Sequence, residues 1–187
     1  MVSLLAAQTL PSGRFEIVVA DNNLSCRLKE VEAVCRTLAR VVPARIQGAG
    51  PARNPAITAS RGVILAFIDF DCRPSPDSLE SEVAALARAD MVGGRVDVDV
   101  LDFGNPTAVE TFEMVFAFDL KRYVEKKHFS ATCNMFVTRA VFDRVGGFRS
   151  GVAEDTGDLA PSLSGTAGLT RRRRVFLTLH GMTGPTS

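Results

Sequence analysis

The chain has 187 residues, 46% of them hydrophobic and 23% charged, with a formal net charge of +1. That length suits one domain with a sizeable core, and the near-neutral balance leaves no bulk electrostatic case for a nucleic-acid partner or a charged membrane. The four cysteines lack C-x-x-C spacing and the two histidines are too few for a zinc cluster, so free thiols in a reducing cytosol are expected.

The opening "MVSLLAAQTLPSGR" has neither the basic start nor the long apolar run of a signal peptide, and no later stretch is apolar for long enough to span a bilayer. "FEIVVAD" (15–21), rich in Val and Ile, predicts a buried strand. "SCRLKEVEAVCRTLARV" follows, and Leu28, Val31, Cys35, Leu38 and Val42 recur at helical spacing. "VILAFID" (63–69) predicts a second buried strand. "PDSLESEVAALARAD" (76–90) predicts a helix with Leu79, Val83 and Leu86 on one stripe, Asp77 or Ser78 as its cap, and Glu80 and Glu82 in its first turn. "MVGGRVDVDV" (91–100) alternates after its glycines like a strand with one exposed face. "TAVETFEMVFAFDLKRYVEKK" (107–127) predicts one long amphipathic helix. "TCNMFVT" is read as a strand, "RAVFDRV" as a helix, and "GGF" as its glycine stop. Strands alternating with helices indicate an α/β fold with a mainly parallel sheet. Beyond residue 156, "TGDLAPSLSGTAGLTRRRR" is aperiodic and rich in Gly, Ser, Thr and Pro, which predicts a loop-like tail with Arg171–Arg174 as a solvated stretch.

The sharpest feature is "FIDFDC" (67–72), where an apolar run ends on Asp69 and Asp71. Strand side chains alternate, so the two carboxylates share a face if the strand reaches that far. Ligands of open α/β sheets bind outside the carboxyl ends of strands. Mg²⁺ or Mn²⁺ is typically held there by one or two carboxylates plus substrate phosphates. A solvated turn is the competing reading, because "DCRPSPD" is full of turn residues. The context adds Asp21 at the end of "IVVAD", "ARN" (52–54) ahead of "FIDFDC", and Glu154 with Asp155 in "VAEDTGD".

From Ser3 to Asp155 the chain resembles the family 2 glycosyltransferases, which have a GT-A fold. "SLLAAQTLPSGRFEIVVADNNLS" resembles the family's "SLLAQ-P-EIIVVDNGS", and "GPARNPAITASRGVILAFIDFDCRPSPDSL" its "G-ARN-G---A-G--I-F-DADC-P---WL". "TCNMFVTRAVFDRVGGF" resembles its "G-NM---R--F--VGGFDE", and the "ED" of "VAEDTGD" its late acidic motif. The resemblance implies a Rossmann-like three-layer sandwich that moves a sugar from a nucleoside diphosphate-sugar to a hydroxyl of a glycan, lipid or other acceptor, with inversion. It implies that Asp21 contacts the base, that Arg53 and Asn54 lie near the nucleotide, and that Asp69 and Asp71 hold the metal on the pyrophosphate. Gly93, Gly94 and Asn134 would line the site. Asp155 would be the general base with Glu154 beside it. His180 after "VFLTL" sits where the family often has a metal-binding histidine, although a solvated loop histidine is the favoured reading.

The resemblance also predicts departures. The family opens with a strand of the type "VSVVIPTYN" that is central to its sheet, and its absence here predicts unpaired backbone in mid-sheet. Asn23 and Pro55 stand where glycine and the first turn of a helix are expected. Residues 1–155 are thus expected to form a partial GT-A domain and 156–187 an irregular or poorly packed tail. A cytoplasmic protein, at most peripheral to the inner membrane, is expected. The alternatives are a non-catalytic remnant of such an enzyme and a phosphatase of the haloacid-dehalogenase type. The latter also uses a strand-end D-x-D, but it wants Thr, Ser or Val where this chain has Arg73.

Overall fold

Phe15–Asp21 forms strand β1, buried at every residue but Glu16. Burial without alternation marks a strand covered on both faces. The computed structural model describes residues 1–22, 28–35, 37–100, 102–116, 120–127, 130–148 and 174–179. The other strands are β2 (Arg40–Pro43), β3 (Ile64–Asp69), β4 (Met91–Gly93), β5 (Asn134–Thr138) and β6 (Arg174–Leu179). The helices are α1 (Val2–Ala6), α2 (Leu28–Cys35), α3 (Ala49–Ala59), α4 (Ser78–Leu86), α5 (Ala108–Phe116), α6 (Leu120–Lys127) and α7 (Arg139–Val145).

The strands form one six-stranded sheet in the order β2-β1-β6-β3-β5-β4. β1 and β2 pair in parallel. β6 runs antiparallel to both β1 and β3, and β5 runs antiparallel to β3 and β4. Thus β1, β2, β3 and β4 share one direction, as strand–helix alternation predicts. The sheet is nonetheless less parallel in its pairing than expected, because the reversed β5 and β6 interleave with these strands.

Alternate strand positions feed two separate cores. One cluster joins Ile17, Val19, Ile64, Ala66 and Phe136 to Leu5 of α1, Val31 and Cys35 of α2, and Leu79, Val83 and Leu86 of α4. The other joins Val18, Ala20, Leu65, Phe67, Met135 and Val137 to Ala52, Ala56 and Ile57 of α3 and Phe142 of α7.

Strand β6 corrects two expectations. Mid-sheet backbone is not left unpaired, because Arg174–Leu179 fills the space between β1 and β3 and pairs on both sides. Part of the expected irregular tail is therefore sheet, and residue 155 does not bound the folded unit. The six-residue run could not declare itself in sequence, since an isolated apolar stretch is stabilised as a strand only by its partners. The rest of 156–187 lies outside the described residues.

Other differences have local causes. Helical spacing runs on to Val42, yet Arg40–Pro43 is a strand, because it completes a parallel ladder from Val18–Arg40 to Asp21–Pro43. The strand predicted over 91–100 ends at Gly93, where its partner β5 runs out near Asn134. The long helix predicted over 107–127 is present as α5 and α6, with 117–119 outside the described residues. Pro55 lies inside α3 rather than in its first turn. Asp77 occupies the N-cap position of α4, but its side chain makes no capping hydrogen bond. Gln8 does that work from a distance: its Oε1 accepts from the Leu79 amide at 3.1 Å and the Ser78 hydroxyl at 2.9 Å.

Candidate active site

The carboxyl ends of β1, β3 and β4 and the start of the reversed β5 meet at one edge of the sheet. Asp21 ends β1, Asp69 ends β3, Gly93 ends β4, and Asn134 begins β5 opposite Ile68. Five expected site residues, counting Gly94, are therefore gathered by topology alone. Strand β6 starts at the same edge, with Arg174 in register between Ala20 and Asp69. That places the last arginine of the basic run within the sheet, whereas a solvated stretch was expected; Arg171–Arg173 lie outside the described residues.

Asp69 is held by a buried cation. Nη2 of Arg53, on α3, lies 3.3 Å from its Oδ1 and also donates to the Thr132 hydroxyl. The guanidinium carbon sits 5.2 Å from the centroid of the Phe148 ring. Arg53 is 2% exposed and Thr132 is buried. A charge so deeply desolvated needs a partner on each available side, and here they are a carboxylate, a hydroxyl and an aromatic face. Thr132 and Phe148 escaped the sequence reading because nothing local marks them: Thr132 is 79 residues from Arg53. Asn54 faces the turn after α7. Its Nδ2 donates to the Phe148 carbonyl at 2.7 Å, and its Oδ1 accepts from the Phe148 amide at 3.0 Å.

Asp71 departs from the strand. The Cys72 amide donates to the Asp69 carbonyl at 3.0 Å, closing a turn in which Phe70 and Asp71 are the exposed middle residues. Strand alternation therefore does not extend to Asp71. Asp69 ends the strand and is half-buried, while Asp71 rides an exposed turn. Among the described residues no group of three or more His, Cys, Asp or Glu side chains is placed to hold a metal ion. Two carboxylates fit a hard divalent cation whose remaining ligands come from water and substrate phosphates.

Asp21 is 4% exposed, and its carbonyl accepts from the Ala44 amide. The next residue, Asn22, shapes this side of the edge. Its Nδ2 donates to the carbonyls of Ala44 and Ile46, each at 2.8 Å, and its Oδ1 accepts from the Gly48 amide at 3.3 Å. Asn22 thereby fixes the segment entering α3, and its only sequence signal was adjacency to a strand-ending aspartate. Asn23 lies outside the described residues.

On the β4 side, a Cβ at Gly93 would collide with Ser130, and one at Gly94 with Glu82 and Asn134. Both positions need glycine because side chains close over the backbone. The Gly94 amide donates to the Asn134 carbonyl at 2.9 Å, and Asn134 Nδ2 donates to the Arg95 carbonyl at 3.1 Å. Burial raises the pKa of the Glu82 carboxyl, partly offset by its hydrogen bond to Asn134. Burial, with the nearby Asp69 and Cys72, pushes the Cys133 thiol up to about 12. Cys133 therefore stays a neutral thiol at physiological pH and is no nucleophile.

Glu154, Asp155 and His180 lie outside the described residues. Leu179 pairs with Phe15 and Ile64, at the opposite edge of the sheet from Asp69. Strand β6 spans about 17 Å between the two edges.

The fold and site together define an α/β protein with a polar, carboxylate-bearing mouth at the carboxyl edge of its sheet. The family profile described as "Glycosyl transferase family 2" matches residues 1–146, and the chain belongs to that family. It is 32% identical over 153 residues to "Glycosyltransferase AglE" of Haloferax volcanii; the match covers 79% of this chain and 50% of that protein. The chain thus spans about half the length of that relative. No solved structure matches it. The family assignment sets aside the phosphatase alternative. No helix among the described residues is long and apolar enough to cross a membrane.

Proposed function

We propose that the chain transfers a sugar from a nucleoside diphosphate-sugar to an acceptor hydroxyl, with inversion, on a three-layer GT-A framework. The observation that carries this reading is the placement of Asp69, fixed by buried Arg53 at the carboxyl end of β3 and next to the turn that bears Asp71. Two cores with helices packed against each support the three-layer reading. Asp69 and Asp71 are the groups that would hold Mg²⁺ or Mn²⁺. Such an ion, when bound, supplies charge neutralisation for the departing diphosphate. Asp21, Asn22 and the α3 entry form the wall proposed to take the base. Gly93, Gly94 and Asn134 are the groups assigned to line the other side, where Ser130, Glu82 and Asn134 close over the two glycines. Asp155, with Glu154 beside it, is assigned as the general base on its place in the late acidic motif. The acceptor's own proton goes to that carboxylate as the hydroxyl attacks the anomeric carbon.

The test begins with calorimetry using UDP- and dTDP-sugars, with and without Mn²⁺. Binding should require the ion in the wild type and be lost in the double variant Asp69→Ala/Asp71→Ala. Equal binding by both proteins would remove the carboxylates from the site. Transfer of labelled sugar then tests the base: Asp155→Asn should keep donor affinity and lose turnover by roughly a hundredfold to ten-thousandfold. Donor binding without any transfer by the wild type would favour the non-catalytic alternative.

A further inference from the structure

The segment that carries the chain into β5 passes beside the end of β3, because Asn134 pairs with Ile68, one residue before Asp69. Ser130, Ala131, Thr132 and Cys133 are all buried there. Thr132 is 1% exposed, and a hydroxyl buried so deeply needs a hydrogen-bond partner. That partner is Nη2 of Arg53, the same nitrogen that lies 3.3 Å from Oδ1 of Asp69. A guanidinium nitrogen holds its two hydrogens at a fixed angle in a rigid plane. One meets the carboxylate and the other the hydroxyl, so the place of Thr132 sets the direction of the N–H that meets Asp69. The Phe148 ring, 5.2 Å from the guanidinium carbon, covers a face of that plane. The family pattern "G-NM" has glycine where this chain has Thr132, so the hydroxyl belongs to this chain in particular.

We propose that Thr132 is a positioning residue for the Asp69 carboxylate, acting through Arg53. The proposal rests on the reading of Asp69 as a ligand to Mg²⁺ or Mn²⁺. With the hydroxyl in place, one hydrogen of Nη2 is occupied, and that nitrogen offers Asp69 a single N–H. A carboxylate has lone pairs on both oxygens, so one N–H on Oδ1 orients Asp69 and leaves it capacity for a cation. Without the hydroxyl, the second hydrogen loses its acceptor in a desolvated place. The guanidinium is then drawn further onto the carboxylate and competes there with the ion. Removing a group that orients a metal ligand costs about tenfold to a hundredfold in metal affinity.

The experiment titrates the full chain with Mn²⁺ alone and follows the free ion by its electron paramagnetic resonance signal. Thr132→Val keeps the side-chain shape without the hydroxyl and should weaken Mn²⁺ binding by about tenfold to a hundredfold. Thr132→Ala, which leaves room instead of an added methyl, should do the same. Thr132→Ser returns the hydroxyl and should restore most of the affinity. Loss of a buried partner also lowers the urea midpoint, so a matched control separates stability from positioning. Nη2 of Arg139 donates to the buried Ser60 hydroxyl at 2.7 Å, beside the start of β3 and so at the opposite edge of the sheet from Asp69. Ser60→Ala removes that arginine–hydroxyl bond and should leave Mn²⁺ affinity unchanged. Wild-type affinity in Thr132→Val and Thr132→Ala, no recovery in Thr132→Ser, or an equal loss in Ser60→Ala would each overturn the positioning role. If Asp69→Ala/Asp71→Ala still loses the ion in those cases, the metal reading itself stands. A wild type that takes up no Mn²⁺, or a double variant that binds it equally, would overturn the metal reading and this proposal together.

Discussion

Nη2 of Arg53 lies 3.3 Å from Oδ1 of Asp69, with the arginine side chain 2% exposed and the aspartate 13%. The sequence places two acids two residues apart, an arrangement that repulsion disfavours unless a positive group intervenes. Arg53 is that group for Asp69. It lowers the charge at the end of β3 and fixes one carboxylate, while Asp71 on the following turn is exposed. On the function proposed above, a fixed carboxylate beside an exposed one suits a site that a charged substrate completes.

Breaking this pair from one side should be costly, because the remaining charge is left unpaired in a desolvated place. Arg53→Met is expected to destabilise the fold by on the order of 3 kcal/mol. Adding Asp69→Asn to that variant should restore part of the loss, since the orphaned charge is then removed. Urea unfolding of both singles and the double variant measures the coupling. Strictly additive costs would show that the two side chains do not stabilise each other.

Gln8 predicts a second, purely structural effect. It is buried at the end of α1 and joins the start of α4 through Oε1, while its Nε2 donates to the Ser75 carbonyl at 2.8 Å. Gln8→Ala would leave the Leu79 amide and the Ser75 carbonyl without these partners. A loss of roughly 1–3 kcal/mol is expected, read as a lower urea midpoint with an unchanged slope. Asp77→Ala, which removes no cap, should cost less; the reverse order would restore the local cap that the sequence suggests.

These two residues show what was legible and what was not. Asp21 and Asp69 were legible as strand-end positions, because the carboxyl edge of an α/β sheet is set by strand ends and these two close apolar runs; Gly93 and Asn134 came only with the family resemblance, and the strands predicted around them were not bounded there. "ARN" was legible as a motif, but the buried role of Arg53 was not, since Thr132 and Phe148 reach it only through the fold. The N-cap position of α4 falls on Asp77 as read, but the side chain that serves its first turn was not legible, because the bond from Ser78 to Gln8 spans 70 residues. β2 was hidden because Leu38 and Val42 continue the period of α2, and only the ladder with β1 makes Arg40–Pro43 a strand. β6 was hidden behind an aperiodic stretch, and strand direction leaves no mark on composition.

Glu82 predicts a pH dependence. Its carboxyl, ordinarily near 4.5, is raised by burial. The folded state therefore favours the protonated acid relative to the unfolded chain. That contribution is fully present below about pH 4.5 and is lost as pH rises through the raised folded value. Glu82→Gln keeps the shape without the charge. Its melting temperature relative to the wild type should therefore climb as pH is raised from about 4 towards 8. A difference that stays constant across that range would mean that Glu82 ionises in the fold as it does in water.

The final prediction concerns β6, which separates β1 from β3 and is hydrogen-bonded to each. Its register runs from Arg174 opposite Asp69 and Ala20 to Leu179 opposite Ile64 and Phe15. A proline in the middle of a central strand removes a ladder donor and does not fit the pleat. Leu177→Pro, opposite Ile17 on one side and Ala66 on the other, should therefore disrupt both ladders. Their amides would lose partners in the interior, where each unpaired group costs about 1–3 kcal/mol, against a total stability of roughly 5–15 kcal/mol for a domain. The effect should be visible as faster amide exchange in both Ile17–Ala20 and Leu65–Phe67. Exchange in α7, capped by its own Thr138 hydroxyl, should change less at the level of local opening. An exchange pattern in β1 and β3 that is unchanged by Leu177→Pro would show that another segment closes the sheet between them.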